Sequence, residues 1–282
     1  MNAPIYSNDK IINDEKARKN IISLLSDDTI KKINSRLTFA VHGIYIFSQY
    51  KEKGYIINGY AETIFFNLVS RLYVLLHDCG LNVLPFFLEI VEPDGRQSIK
   101  PYPVTSNSDK IQFEEANTFI WDIKVLRHSE QHNMKPDSLG DEGKIRKRKK
   151  ILYKILKKET PQTEADWEKC IQWIASNCDN LYTLLSKRLD YLEKDSTSSQ
   201  KQFLLGGYYR CLREYYNRIL VSVIGEVLRK RRKHCNEAYI HAIAEKNGEQ
   251  IIEKAIELLK VSDTRIDPYK VILQGVDLYM EV

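Results

Sequence analysis

The segment KVLRHSEQHNM, residues 124–134, gathers Arg127, His128, His132 and Asn133 within seven positions of a chain that has six histidines in all. Histidine is the side chain whose ordinary pKa lets it take up and release a proton near neutral pH, and its neutral ring binds metals. Arginine stays charged and offers a planar fork of donors that matches phosphate or carboxylate oxygens. On a helix, His128 and His132 are four apart and share a face, whereas Arg127 and His132 are five apart and about 140° separated. The two pairings imply different chemistries.

The first is metal binding, since two histidines at i and i+4 can hold zinc as in H-E-x-x-H sites. The intervening residues are Ser129, Glu130 and Gln131, so the glutamate is not where that motif places its general base. Glu130 also falls on the wrong side of the helix to join the histidines as a ligand. One of His42, His77, His234 or His241 would have to complete the site, and the sequence singles out none, so no metal is assigned. A purely structural role is the second reading: His128 caps a helix end, His132 bonds a backbone carbonyl, and Arg127 pairs with Asp122 or Glu130. Asn133, beyond this pair, either bonds a phosphate or ends a helix, the second being preferred.

The third reading is RNA cleavage. Arg127-His128-x-x-x-His132 resembles the R-[N/H/D]-x-x-x-H form of the R-x(4–6)-H motif of the HEPN superfamily, helical domains found in RNA-targeting CRISPR effectors, toxins and phage-defence proteins. The resemblance rests on these residues and their helical setting; the later helices carry no signature of the family. It implies an endoribonuclease that needs neither metal nor other cofactor. Arg127 would be the phosphate-stabilising cation, His132 the proton-transfer residue and His128 the polar residue that orients them. Family members assemble one composite site from two motifs across a two-fold interface. This chain has one motif, so a second copy would supply the other, giving a C2 homodimer. The setting implied is that of a toxin or phage-defence effector, with RNA as substrate and an antitoxin or other defence-system protein as partner. The alternative from another class is a non-catalytic helical module, antitoxin-like or regulatory, that binds a nucleotide or a protein through the same cluster.

The elements that must position the cluster read as helices. Phe119, Ile120, Ile123 and Leu126 follow helical spacing from Ala116, so a core-packed helix leads directly into Arg127. Two adjacent i+4 rows from Ile56 to Leu76 predict another. Helices are predicted over about 163–193, after Thr160 and Pro161, and over about 202–234, and their adjacency predicts an antiparallel pair. The run PFFLEIVEPDGRQSIKPYPV sets a Pro-Asp-Gly turn after an apolar stretch and predicts a small β-hairpin over about 84–104. Segments 93–112 and 135–144 read as loops flanking the motif helix. The expected class is all-α, a helical bundle with a hairpin insertion. Residues 1–158 are expected to form the HEPN-like core, and 159–282 a helical part packed on it as one unit.

Composition sets the remaining bounds. With 43% hydrophobic and 29% charged residues, the 282-residue chain can bury a sizeable core. The five cysteines are scattered without a C-x-x-C pair, so neither a disulfide framework nor a cysteine zinc site is indicated. The N-terminal segment has no apolar signal region, and the most apolar window, Leu72–Val91, is interrupted by polar residues. A reducing cytoplasm is the expected location, with no membrane partner. The net charge of +5 is concentrated in two runs, KIRKRKK at 144–150 and RKRRKH at 229–234. Lys147, Arg148, Lys149, Lys150, Arg229, Arg231 and Arg232 are therefore the candidate RNA contacts, against the plainer reading of solvated helix faces. The aromatic and basic stretch YYRCLREYYNR, residues 208–218, reads as a helix whose tyrosines pack and whose arginines face water. P-loop, G-x-G-x-x-G, G-x-S-x-G and paired-carboxylate signatures are missing, so kinase, dehydrogenase and hydrolase readings have no support.

Overall fold

The computed structural model describes residues 21, 24–48, 60–79, 83–88, 107–131, 139–231, 236–261 and 267–280. All the regular structure among them is helical: α1 Asp27–Ala40, α2 Ala61–Tyr73, a π-helical turn Val74–Asp78, α3 Val83–Leu88, α4 Asn107–Gln131, α5 Leu139–Leu156, α6 Glu164–Lys194, α7 Ser198–Lys230, α8 Glu237–Val261 and α9 Pro268–Tyr279. The protein is all-α. The predicted hairpin is not seen: its first arm is α3, because Leu84, Phe87 and Leu88 bury themselves at i, i+3 and i+4 spacing. Pro85 is tolerated there, within the first turn, where its missing N–H has no helical partner to lose. The rest of the predicted hairpin lies outside the described residues. Two predicted loops are shorter than the sequence indicates, since α4 already starts at Asn107 and α5 at Leu139.

The described residues fall into two compact units. The first draws on Met1–Lys31, Tyr50–Asp78 and Val104–Arg188. Here α2 packs on α4 and α4 on α5. The α2 stripe Ile64, Phe65, Leu68, Val69 and Leu72 is buried, as are Ala116, Phe119, Ile120, Ile123 and Leu126 of α4. Phe65 lies 5.4 Å from Trp167, and Phe119 meets Trp173 edge-on at 5.4 Å, so aromatic contacts bring α6 into the same core. Glu164 accepts the backbone N–H of Ala61 at 2.5 Å, tying the start of α6 to the start of α2. Asp166, buried, accepts the N–H groups of Gln162 and Thr163 and the Lys158 ammonium at 2.9 Å; these hold its carboxyl well below the ordinary range.

The second unit draws on Lys32–Gln49, Cys79–Pro103 and Leu189–Val282. Within it α7 packs on α8 and α9. Thr197 and Gln200 form a capping box that starts α7 four residues earlier than its apolar stripe implies. Close helix approach depends on small residues. A Cβ on Gly275 of α9 would stand 3.1 Å from the Ala255 Cβ and 3.3 Å from the Ile251 carbonyl, both on α8. Asn34 accepts the N–H groups of Ile46 and Phe47 at 3.1 Å and donates to the Phe47 carbonyl at 2.9 Å, fixing the chain after α1. The described cysteines 79, 170, 178 and 211 are free thiols. No described helix is long and apolar enough to cross a membrane.

Candidate functional site

The sequence motif begins in the final turns of α4, where the buried row ending at Ile123 and Leu126 gives way to Arg127 and His128, both half-buried. The helix is locked into its core up to that point. Buried Ser129 turns its Oγ back onto the Leu126 carbonyl at 2.7 Å, so its hydroxyl is satisfied within the helix. His132, the predicted proton-transfer residue, and Asn133 lie outside the described residues.

Four rings gather where α2 and its π-turn meet this helix. The His128 ring stands edge-on to Tyr73 at 5.6 Å. Tyr73 stacks on His77 at 5.1 Å, with 28° between the planes. His77 in turn lies 6.2 Å from Trp121 of α4. The side chains arrive from only two elements: Trp121, Lys124 and His128 recur at i, i+3 and i+7 on one side of α4, and Tyr73 and His77 are four apart where α2 passes into the π-turn. Single π-turns within helices are frequent at functional sites. This one buries Leu75 and Leu76 while presenting His77 to α4.

The electrostatics of His77 follow from its contacts. Its Nε2 lies 2.8 Å from the Ile120 carbonyl oxygen, which can only accept, so Nε2 carries the proton and Nδ1 is the acceptor. Burial lowers its pKa, opposed by that hydrogen bond and reinforced by the nearby Lys124 and His128. At neutral pH the ring is uncharged. The Lys124 ammonium is 4.8 Å from the centre of the Trp121 ring, a cation–π contact. The sequence offers His77 only as a further metal ligand, places Tyr73 in the apolar row of α2 and does not single out Trp121. The available signal was the spacing of Trp121, Lys124 and His128.

Asp122, adjacent to Trp121, faces Lys154 of α5, and burial pushes its carboxyl up to about 6 with Lys154 opposing. That places a carboxyl titrating close to neutrality on the motif helix. Among the described residues no group of three or more His, Cys, Asp or Glu side chains is arranged to hold a metal ion.

The two basic runs fall in different units. Lys147, Lys149 and Lys150 are exposed on α5, which packs on α4, while half-buried Arg148 lies over the Phe66 ring of α2 at 5.4 Å. Lys149 pairs with Glu159 at 2.9 Å. In the second run Arg229 is exposed, and Arg231 donates to the Asp277 carboxylate at 2.8 and 3.0 Å and to the carbonyls of Asp277 and Met280. Arg231 thereby holds the C-terminal end of α9. Arg232 lies outside the described residues. In the aromatic stretch of α7, Tyr208, Tyr215 and Tyr216 are buried, as its core reading predicts.

No family model, curated protein or solved structure matches this chain.

Proposed function

We propose that the protein is a metal-independent endoribonuclease of the HEPN type that works as a C2 homodimer, in the manner of a toxin or phage-defence effector. The observation that supports this best is the placement of Arg127 and His128, half-buried at the end of a helix whose other face is core, with exposed lysines on the helix packed beside it. Such a placement gives a cation a fixed position without removing it from solvent, as phosphate recognition requires. In the proposed reaction the RNA 2′-oxygen attacks phosphorus and the 5′-oxygen leaves, giving a 2′,3′-cyclic phosphate and a 5′-hydroxyl. His132 moves the proton lost by the 2′-hydroxyl or gained by the 5′-oxygen, and its counterpart in the second copy takes the complementary role. Arg127 stabilises the charge that builds on the phosphate oxygens, and His128 orients the pair.

Incubating the pure protein with RNA, with and without EDTA, tests this. Cleavage that survives the chelator and leaves 2′,3′-cyclic ends is expected; cleavage restored only by added metal overturns it. His132→Ala is expected to abolish cleavage while folding and dimerisation persist, since a site residue contributes little to the core. A mixed dimer of wild-type and His132→Ala chains is expected to lose far more than half its activity. Half-activity would mean independent sites, and a wild-type rate in the variant homodimer would remove the cluster from the reaction. RNA binding without cleavage would leave the binding-module alternative.

A further inference from the structure

The ring cluster beside the motif has features that neither core packing nor the cleavage chemistry accounts for. Trp121 is 51% exposed, although tryptophan carries a large apolar surface that usually finds cover. It stands at the edge of a chain of rings, Trp121, His77, Tyr73 and His128, in which successive centroids are 5.1 to 6.2 Å apart. Lys124 lies on the same side of the helix, over the Trp121 ring, and Arg127 follows one turn later. Exposed aromatics interleaved with cations make the usual platform for single-stranded nucleic acid, on which bases stack while cations follow the backbone phosphates. A paired base has no face to offer such a platform. The uncharged His77 ring fits this use, because it adds stacking area beside Lys124 without adding a second cation.

We infer that Trp121, together with His77 and Tyr73, forms a stacking subsite for an unpaired RNA base next to the Arg127 and His128 end of α4. Charge favours this occupant: the helix packed on α4 exposes Lys147, Lys149 and Lys150, so the surroundings suit a polyanion rather than a basic or apolar protein segment. The inference rests on the ribonuclease reading for the identity of the nucleic acid. It adds a selectivity that reading lacks, for single-stranded over double-stranded RNA, imposed before the reaction.

The test is binding of a fluorescein-labelled, fully 2′-O-methylated RNA 10-mer of mixed sequence, which cannot be cleaved through its 2′-oxygen. Base–aromatic stacking typically contributes enough that Trp121→Ala should weaken binding by roughly five- to a hundredfold. Trp121→Phe, which keeps a ring, should stay within about threefold of wild type. The oligonucleotide should also quench wild-type tryptophan fluorescence and do so much less in Trp121→Phe, and a duplex of the same sequence should compete poorly. Circular dichroism confirms that each variant is folded. If Trp121→Ala misfolds, the quenching comparison with Trp121→Phe decides. Equal affinity in Trp121→Ala, equal quenching in Trp121→Phe, equal competition by the duplex, or no binding by the wild type would each overturn the subsite. Cleavage of ordinary RNA by the wild type is scored separately: ring-dependent binding without cleavage removes the ribonuclease reading alone, and cleavage without ring-dependent binding removes the subsite alone.

Discussion

Replacing Asp122 with asparagine removes a carboxylate that the fold holds at a cost. Burial raises its pKa from an ordinary 3.8 to about 6, even with the Lys154 ammonium opposing the shift. A raised carboxyl pKa means that the folded state binds more protons than the unfolded chain between those two values, so stability falls as pH rises from about 4 to about 6 and stays lower above that. A shift of roughly two units corresponds to about 3 kcal/mol at most. The side chain keeps partial contact with water, which screens the effect, so about 1 kcal/mol is the working expectation. Asp122→Asn, which keeps the shape and removes the charge, should therefore stabilise the protein by about 1 kcal/mol at pH 7.5 and by about a third of that at pH 4.5. Urea unfolding followed by far-ultraviolet circular dichroism at both pH values measures it. Lys154→Met supplies the second arm: it should destabilise the wild type at pH 7.5 and do much less in the Asp122→Asn background, because its attraction is to that carboxylate. A gain of equal size at both pH values, or none at pH 7.5, would refute the account of Asp122 as a partly desolvated anion.

The packing of α9 on α8 predicts that Gly275→Val lowers stability by about 1–3 kcal/mol, since its side chain would collide with Ala255 and the Ile251 carbonyl; an unchanged melting temperature would contradict that contact. The two basic runs should behave in opposite ways. Changing Lys147, Arg148, Lys149 and Lys150 to glutamine should weaken RNA binding and flatten its salt dependence, because each lost phosphate contact releases fewer counterions. Arg231→Ala should leave the salt slope alone and lower stability by roughly 1–2 kcal/mol, since its guanidinium is engaged at the end of α9. Reversal of that contrast would move the electrostatic footprint to the second unit.

How much of this could be read from residues alone depends on the kind of signal each element sends. The motif helix and α2 were legible because their apolar residues recur at helical spacing and the structure buries those same positions, Ile64 to Leu72 and Ala116 to Leu126. The apolar run after Val83 reads as a strand because continuous hydrophobicity fits a buried strand as well as a helix, and only packing of Leu84, Phe87 and Leu88 chooses between them. The first turns of α5 read as a loop because Gly140, Asp141 and Gly143 are poor helix formers, yet the helix begins at Leu139 and a Cβ on Gly143 would meet nothing within 4 Å. At α9 the start signal is local: Asp267 caps the helix by accepting the Tyr269 N–H, and Pro268 takes the position where a proline costs nothing. The ring cluster was out of reach in a different way. His77 comes to Trp121 and His128 only because a π-turn and the packing of two helices join residues more than forty positions apart.

Charge runs show the same dependence on three-dimensional context, and they bear directly on function. A string of lysines and arginines records how many cations a segment carries but not which of them meet carboxylates in the fold. Arg36 is held by Asp190 and Glu193, Arg213 by Glu253 and Arg231 by Asp277, each at 2.6 to 2.9 Å. None of those acidic partners lies near its arginine in sequence. Those contacts commit three of the second unit's arginines to carboxylates of the same unit. On α5 only Lys149 of the exposed run meets a carboxylate at comparable distance among the pairs resolved, and Arg148 uses its guanidinium plane on Phe66. A net charge of +5 therefore understates what a polyanion would meet at α5, whereas in the run at 229–234 Arg231 is already engaged by Asp277. The lysines of α5 and the Arg127 end of α4 belong to one packed unit, so under the proposed ribonuclease reading a phosphate backbone would meet both on the same body.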